Sequence, residues 1–431
     1  MITLAIALSF LFFLAIGVPV AFVLGLTPLV VLAGRGETPL VLLAQRIFTG
    51  MDNPILMAVP FFILAGNLMG RGGMTRRLVD FCSVIAGGLR GGLAYINVAV
   101  SMVFAGISGA AVADTSAVGS VLIPAMKKDG YDTDFAAALT ATSSTIGPLI
   151  PPSIPFIVYG VLAEVSIASL FLAGIVPGLL LAFFQMAVVW RYSRAKHFPR
   201  GKRPGLKASV LAVRDAALVL AMPVIIVGGI LSGAFTPTEA ACIAVFYALF
   251  IGLFVYRDLK VRDLPQILLE TGVTSSLVML VIGTASIFSW LLASEEVPQA
   301  ITEALLAFTD SRLAILLMVN VVLLMVGTFM ETTASLIIMT PVLLPLMAEI
   351  GVDPLHFGVI IVLNLVIGLT TPPVGVCLFI SCSIGRTRLE SISRAIIPFL
   401  LASVAVLAIC TFWEGLVTAV PEWFGYRPLF R

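Results

Sequence analysis

Between Thr140 and Pro155 the chain reads TATSSTIGPLIPPSIP. Six hydroxyl-bearing residues, one glycine and four prolines fall in this stretch, and apolar sequence flanks it on both sides. Proline removes a backbone donor and its ring obstructs the preceding turn, so a helix entering this stretch must break inside it. In hydrocarbon each unpaired carbonyl or amide costs several kcal/mol. The stretch therefore predicts a membrane span interrupted where protein, water or a ligand meets the freed backbone.

The rest of the composition agrees. Of 431 residues, 60% are apolar and 11% are charged, against roughly 25% charged in a soluble domain. Such a chain cannot cover a water-facing surface, and many of its apolar runs exceed the ~20 residues needed to cross a bilayer. The net charge of +2 points to no nucleic-acid partner. The five cysteines lie in apolar runs as packing residues, and two histidines, His197 and His356, are too few for a histidine metal centre. The opening run lacks a basic n-region and is too long for a signal peptide, so it is expected to be a first span bent at Pro19 or Pro28.

A repeat appears at a shift of 221 residues. It carries Gly106 to Gly327, Pro124 to Pro345, Gly130 to Gly351, Asp132 to Asp353, Gly147 to Gly368 and Pro151-Pro152 to Pro372-Pro373. Shared greasiness would align leucines and valines, not helix breakers. Lys127-Lys128 in the first copy meets Ala348-Glu349 in the second. Short basic loops stay cytoplasmic, so the two copies are expected to lie in opposite orientation, each with a broken helix, as in many transporters.

The expected fold is an all-α polytopic membrane protein of inverted repeats, with re-entrant hairpins and discontinuous transmembrane helices. Spans are expected at 4–33 and 54–70, and an interfacial segment at 75–89. A hairpin follows at 92–127 with its tip near Gly106–Val112, then a span at 133–163 broken at 143–153, and a return at 166–190. Spans 212–233 and 237–256 link the halves. Segments 272–293 and 296–310, the hairpin 312–347 and the broken span 354–382 repeat the first half, and 396–420 crosses last. The basic cluster from Arg191 to Arg214, with Lys202 and Arg203, faces the cytoplasm. The domains are 1–192 (first repeat), 193–233 (basic loop and linking span) and 234–431 (second repeat).

Pro148, Pro151 and Pro152 are expected to free carbonyls around Ser144–Gly147, and Pro372-Pro373 to do so near Gly368–Leu369. Freed carbonyls plus hydroxyls are hard neutral oxygens that suit an alkali cation such as sodium. The candidate cation ligands are Gly106, Ser108, Gly109, Ser143, Ser144, Thr145 and Gly147 in the first copy. In the second they are Gly327, Thr328, Met330, Thr333, Gly368, Thr370 and Thr371. Asp114, Ser108, Ser153 and Thr332 are the candidate substrate contacts. Helix N-termini at the two tips favour an anionic substrate. Two other readings stand beside these. Serines and threonines in membrane helices often serve packing, and Asp114 or Glu331 can cap the returning helix of its hairpin. No nucleotide-binding loop is present: GRGG at Gly70–Gly73 lacks the required spacing. Thr236-Pro237-Thr238-Glu239 has the form of a helix start.

Four segments together resemble the large membrane subunit of TRAP transporters, the DctM type. They are GISGAAVADTSA and its continuation to Gly160, GTFMETTASLIIMTPVLLP (Gly327–Pro345), GAFTPTEAA (Gly233–Ala241) and VPFFILAGNLM (Val59–Met69). The resemblance covers nearly the whole chain. It implies an inner-membrane secondary transporter with an elevator-type fold and sodium-driven uptake of an organic acid, and no enzymatic activity. It also implies two partners, a soluble extracytoplasmic substrate-binding protein and a separate small subunit of the DctQ type. The implied cation sites fall on the tips and breaks named above. Ala110 departs from the serine many members carry there. A single-component sodium/dicarboxylate symporter of related fold and, less well matched to paired breaks, a channel are the competing readings.

Overall fold

A computed structural model describes residues 2–36, 39–196, 198, 200–201, 205–309 and 311–429. Lys202, Arg203 and His197 lie outside the described residues. The first half comprises α1 (Ile2–Ala15), α2 (Val20–Arg35), α3 (Val41–Met51), α4 (Ala58–Arg71), α5 (Met74–Ala86), α6 (Gly92–Ser108) and α7 (Ala111–Lys128). It continues through α8 (Thr133–Ser143), a short 3-10 turn (Ser144–Ile146), α9 (Ile154–Leu162) and α10 (Ile167–Ala195). Then follow α11 (Leu206–Leu231), α12 (Pro237–Phe250) with a π-helical end, α13 (Leu264–Ser294), α14 (Val297–Phe308), α15 (Arg312–Phe329) and α16 (Thr332–Glu349). The chain ends with α17 (Pro354–Gly368), α18 (Val376–Gly385), α19 (Leu389–Ala395), α20 (Ile397–Phe412) and α21 (Glu414–Trp423).

Six of these helices, π-helical and 3-10 ends included, are long and apolar enough to cross a membrane, and α19 with α20 makes a seventh candidate bent by 53°. The protein is an all-α polytopic membrane protein. The repeat is structural as well as sequential. Moved 221 residues along, α7 falls on α16 end for end, and the start of α8 falls on the start of α17. The preceding residues Asp132 and Asp353 both cap, accepting from Asp134 N at 3.0 Å and from Leu355 N at 2.8 Å. Such a cap satisfies one of the first-turn amides that have no partner within a helix. Thr236 and Glu239 form a reciprocal capping box at the start of α12, as the sequence reading expects.

Both hairpins and both broken spans are present. The first tip is the pair Gly109-Ala110, with Gly109 at φ +61°. The two copies then interlock. The half-helix after each break packs on the other copy: α9 on α16, and α18 on α7 and α8. The Tyr159 hydroxyl donates to Pro354 O at 2.6 Å across the same junction. Around this body, α2, α3 and α4 pack on α13, α4 packs on α12, and α5 packs on α11.

Three expectations need correction. The first span is two helices, because Gly17 (φ +81°) and Pro19 end α1, while Pro28 sits inside α2 without breaking it. The last span is also two helices, since Trp413 leaves helical geometry (φ −119°, ψ 77°) and Glu414 begins α21, paired with Arg312 at 3.0 Å. An unforeseen helix, α3, precedes α4. In the second copy the matching residues run uninterrupted as α13, because Asn53-Pro54 has no counterpart there.

In the second copy α15 and α17 cross in backbone contact. A Cβ on Gly368 would lie 2.4 Å from the carbonyl carbon of Gly327, so the two backbones touch. Gly368→Ala is expected to cost about 1–3 kcal/mol by overpacking. Gly228→Ala, which meets nothing within 4 Å, is expected to be neutral or slightly stabilising. Thermal unfolding of the two purified variants checks the contrast.

Candidate functional site

Each hairpin tip is tied by the backbone to the far side of the neighbouring break. Ile154 N donates to Gly109 O at 3.3 Å, and Gly375 N donates to Thr328 O at 3.1 Å. Ile154 and Gly375 are equivalent under the 221-residue shift. The fold therefore makes two tip–break junctions of one design. Cis peptides at Pro151-Pro152 and Pro372-Pro373 occur at matching places in them.

The first junction centres on Asp114, which is fully buried. Ala110 holds the N-cap position of α7, so Asp114 does not cap that helix. Its Oδ1 accepts a hydrogen bond from the Ser108 hydroxyl, and its Oδ2 has no partner. That oxygen faces the break: a Cβ on Gly147 would lie 2.4 Å from it. At the equivalent position of the second copy stands Ser335, fully buried, its Oγ also without a partner. The Thr332 hydroxyl beside it is likewise buried and unpaired. Glu331 is the cap of α16, accepting from Thr333 N at 2.8 Å and Ala334 N at 3.2 Å, and the Thr333 hydroxyl donates to it at 3.1 Å.

The breaks expose fewer carbonyls than the prolines alone imply. Gly147 N donates to Ser144 O at 3.0 Å, and Leu149 and Ile150 both donate to Ile146 O. Thr145 O and Gly147 O are left without the donors that Pro148 and Pro151 lack. In the second copy Thr371 N reaches Gly368 O at 2.9 Å and Cys377 N reaches Leu369 O at 3.0 Å. Those two carbonyls are therefore not bare, contrary to the sequence expectation, and only their second lone pairs stay open.

Most candidate hydroxyls also have local duties. Thr145 donates to Thr142 O at 2.6 Å, Thr328 to Met325 O at 2.7 Å, Thr370 to Ile367 O at 2.8 Å and Thr371 to Ile367 O at 2.9 Å. A donating hydroxyl keeps its lone pairs for a cation. Ser143 belongs to a polar rung between α6 and α8: it accepts from Ser101 at 2.9 Å and lies 2.9 Å from Asn97 Oδ1. Its counterpart Asn364 makes the same rung between α15 and α17, donating to Asn320 Oδ1 at 2.7 Å. Sequence reasoning passed over these asparagines, although three amides inside apolar helices were the available signal. Gly106 packs against the Pro223 ring, Gly327 against the backbone of α17, and Met330 is the extended, half-buried residue of the second tip.

Among the described residues, no three His, Cys, Asp or Glu come together. The donors on offer are hydroxyls, carbonyls and the carboxylates of Asp114 and Glu331, a set suited to a hard, weakly held cation. Two surface cavities, of about 480 and 530 Å³, lie along the C-terminal residues beside Tyr426 and Leu429; neither is lined by a residue of the tips or breaks, and no unpaired buried polar atom lines them.

Ser153 is placed differently from its sequence role. Its Oγ accepts from Phe156 N at 3.2 Å as the cap of α9 and donates to Pro148 O at 2.5 Å. Ser153→Ala is expected to cost about 1–2 kcal/mol through the lost cap. It should leave ligand-induced stabilisation at the breaks unchanged; a shift in that stabilisation, read by thermal unfolding, would return Ser153 to the site.

Comparison with known proteins agrees along the whole chain. Residues 7–416 match the family described as tripartite ATP-independent periplasmic transporter, DctM component. The isethionate TRAP transporter permease protein DctMQ of Oleidesulfovibrio alaskensis is 44% identical over 96% of this chain, which spans 65% of that protein's length. The sialic acid TRAP transporter large permease protein SiaM of Vibrio cholerae is 39% identical over 95% of this chain and 96% of its own length. The C4-dicarboxylate TRAP transporter large permease protein DctM of Pseudomonas aeruginosa is 42% identical over 89% and 90%. In fold alone, the chain is similar to the Alcanivorax borkumensis YdaH transporter, with a TM-score of 0.62, 12% identity and coverage of 90% and 88%. The chain belongs to the DctM family of large membrane subunits of tripartite ATP-independent periplasmic (TRAP) transporters.

Proposed function

We propose that this permease subunit carries an organic acid inward across the inner membrane, driven by a sodium gradient. It would act with a small membrane subunit of the DctQ type and a soluble extracytoplasmic binding protein. The relatives named above take isethionate, sialic acid and C4-dicarboxylates, and an organic acid is the class they share. The observation that carries the reading is the pair of unpartnered oxygens, Asp114 Oδ2 and Ser335 Oγ, at one repeat position beside two tip–break junctions. A carboxylate inside a membrane costs ~2.5–3.5 kcal/mol even on the mild insertion scale. A sodium ion between Asp114 and the Gly147 backbone offsets that cost. The positive ends of α7 and α16 then favour the acid group of the substrate.

The opposite charge of the two copies supports inverted orientation, with the N-terminus cytoplasmic. The interlocked hairpins and broken helices would form the body that moves. The helices α2, α4, α11, α12 and α13 would form the scaffold against which it slides, as in an elevator.

Proteoliposomes decide between this reading and a single-component symporter. With an inward sodium gradient, uptake is expected only when the small subunit and binding protein are both present; uptake by this chain alone overturns the three-part reading. Asp114→Asn is expected to raise the sodium concentration for half-maximal uptake by about tenfold, since hydrogen bonds and ion contacts to charged groups carry about 1.5–3 kcal/mol. Ser144→Ala and Thr371→Val are each expected to raise it by roughly threefold. An unchanged sodium midpoint in all three removes the support for sodium at these junctions.

A further inference from the structure

Asp353, the N-cap of α17, is fully buried, whereas its repeat counterpart Asp132 is half exposed. A buried carboxylate needs its oxygens filled. Oδ1 accepts from Leu355 N at 2.8 Å, from His356 N at 3.4 Å and from the Tyr426 hydroxyl at 2.9 Å. Oδ2 accepts from Leu429 N at 2.8 Å. Two of these donors belong to the helix itself. The other two belong to the segment 424–429, which folds back over the start of the helix as a strap.

Two further elements hold the same turn. The Tyr159 hydroxyl of α9 donates to Pro354 O at 2.6 Å, and His356 Nε2 lies 2.7 Å from Cys410 O of α20. The start of α8 in the first copy is packed by rings: Phe135 lies 5.3 Å from Tyr192, 5.0 Å from Phe198 and 5.8 Å from Phe399. Ring burial fixes position along a helix less sharply than directional hydrogen bonds do.

The clamp reaches the second break through α17, which is buried from Leu355 to Gly368. Its 15 residues span about 22 Å. At the far end Gly368 rests on the Gly327 backbone, and the break follows at once, with Thr371 N on Gly368 O at 2.9 Å and Cys377 N on Leu369 O at 3.0 Å. A rigid helix held at its first turn can neither slide nor rotate. We propose that Tyr426 is a positioning residue: through Asp353 it fixes α17 and so preorganises the second tip–break junction. The inference rests on the reading that this junction binds sodium during transport. Preorganisation then lowers the ordering cost of binding there.

The test is backbone hydrogen exchange of the purified full-length chain, with sodium-dependent uptake by the reconstituted transporter as second readout. Tyr426→Phe is expected to speed exchange at Leu369–Cys377 by about tenfold and to leave Gly147–Ile150 of the first break unchanged. Asp353→Asn keeps an N-cap acceptor but loses the one that meets Leu429 N, so it is expected to match Tyr426→Phe with the helix start intact. The pair keeps the result readable if one variant folds poorly. In uptake, both are expected to raise the sodium concentration for half-maximal rate by roughly threefold. A merely structural role would lower the unfolding temperature and speed exchange only at the strap and the first turn of α17. That outcome, or an equal rise at both breaks, overturns the positioning role. Faster exchange at the second break with an unchanged sodium midpoint overturns the sodium reading of that junction instead, a separate failure.

Discussion

A backbone amide or carbonyl inside a bilayer must find its partner within the protein. This constraint organises the molecule. Two consecutive prolines at each break remove donors that a continuous helix would supply, and the fold answers by bringing a hairpin tip to each break. Gly109 O and Thr328 O take the first amides beyond the breaks, while Ser153 and Cys377 close the turns from the far side. Among the described residues at the tips and breaks, these repairs leave unfilled Asp114 Oδ2, Ser335 Oγ and the Thr332 hydroxyl, together with the carbonyls of Thr145 and Gly147. The candidate site is what remains after the tips have met most of the broken backbone.

The interlocking of the two copies follows from the same need. A half-helix of nine or ten residues, such as α9 or α18, is too short to cross the membrane by itself. Each therefore lies against the returning helix of the other copy's hairpin. Polar rungs hold the full-length neighbours at fixed rotation: Asn97, Ser101 and Ser143 in one copy, Asn320 and Asn364 in the other. Hydrogen bonds of this kind between membrane helices are each worth about 0.6–2 kcal/mol. Their larger effect here is to set which face of α8 and α17 turns toward the tips.

The breaks, the helix start at Thr236–Glu239 and the hairpin tips were legible in the sequence because each depends on local chemistry. Proline lacks its donor in any surroundings, and a threonine before Pro and Glu caps a helix through its own next turn. The duties of individual hydroxyls were not legible. Ser143 and Ser144 are neighbours in sequence, yet one joins the rung to α6 and the other meets Thr115. Only the rotation of α8 within the bundle separates them. The division of the first span at Gly17–Pro19 could be read from its residues once two breakers stood together. The division at Trp413 could not, because no proline or glycine precedes it there; the Glu414 that begins the next helix pairs with Arg312, 102 residues away.

The two copies have diverged where they meet the site. The position that holds an acid in the first copy, Asp114, holds an alcohol in the second, Ser335. The capping aspartates differ too. Asp132 is half exposed and 3.8 Å from Lys196, whereas Asp353 is buried under the C-terminal residues, accepting from Tyr426 Oη at 2.9 Å and Leu429 N at 2.8 Å. On the proposed reading this asymmetry orders events. An uncompensated carboxylate at the first tip repels an incoming organic anion, and in a low-dielectric interior that repulsion is weakly screened. A cation beside Asp114 removes it, while the carboxylate at the second tip, Glu331, is already met by the Thr333 hydroxyl and the amides of Thr333 and Ala334 at the start of α16. Sodium at the first break must then precede the anion, and one buried acid is enough to make substrate binding conditional on the ion that drives it.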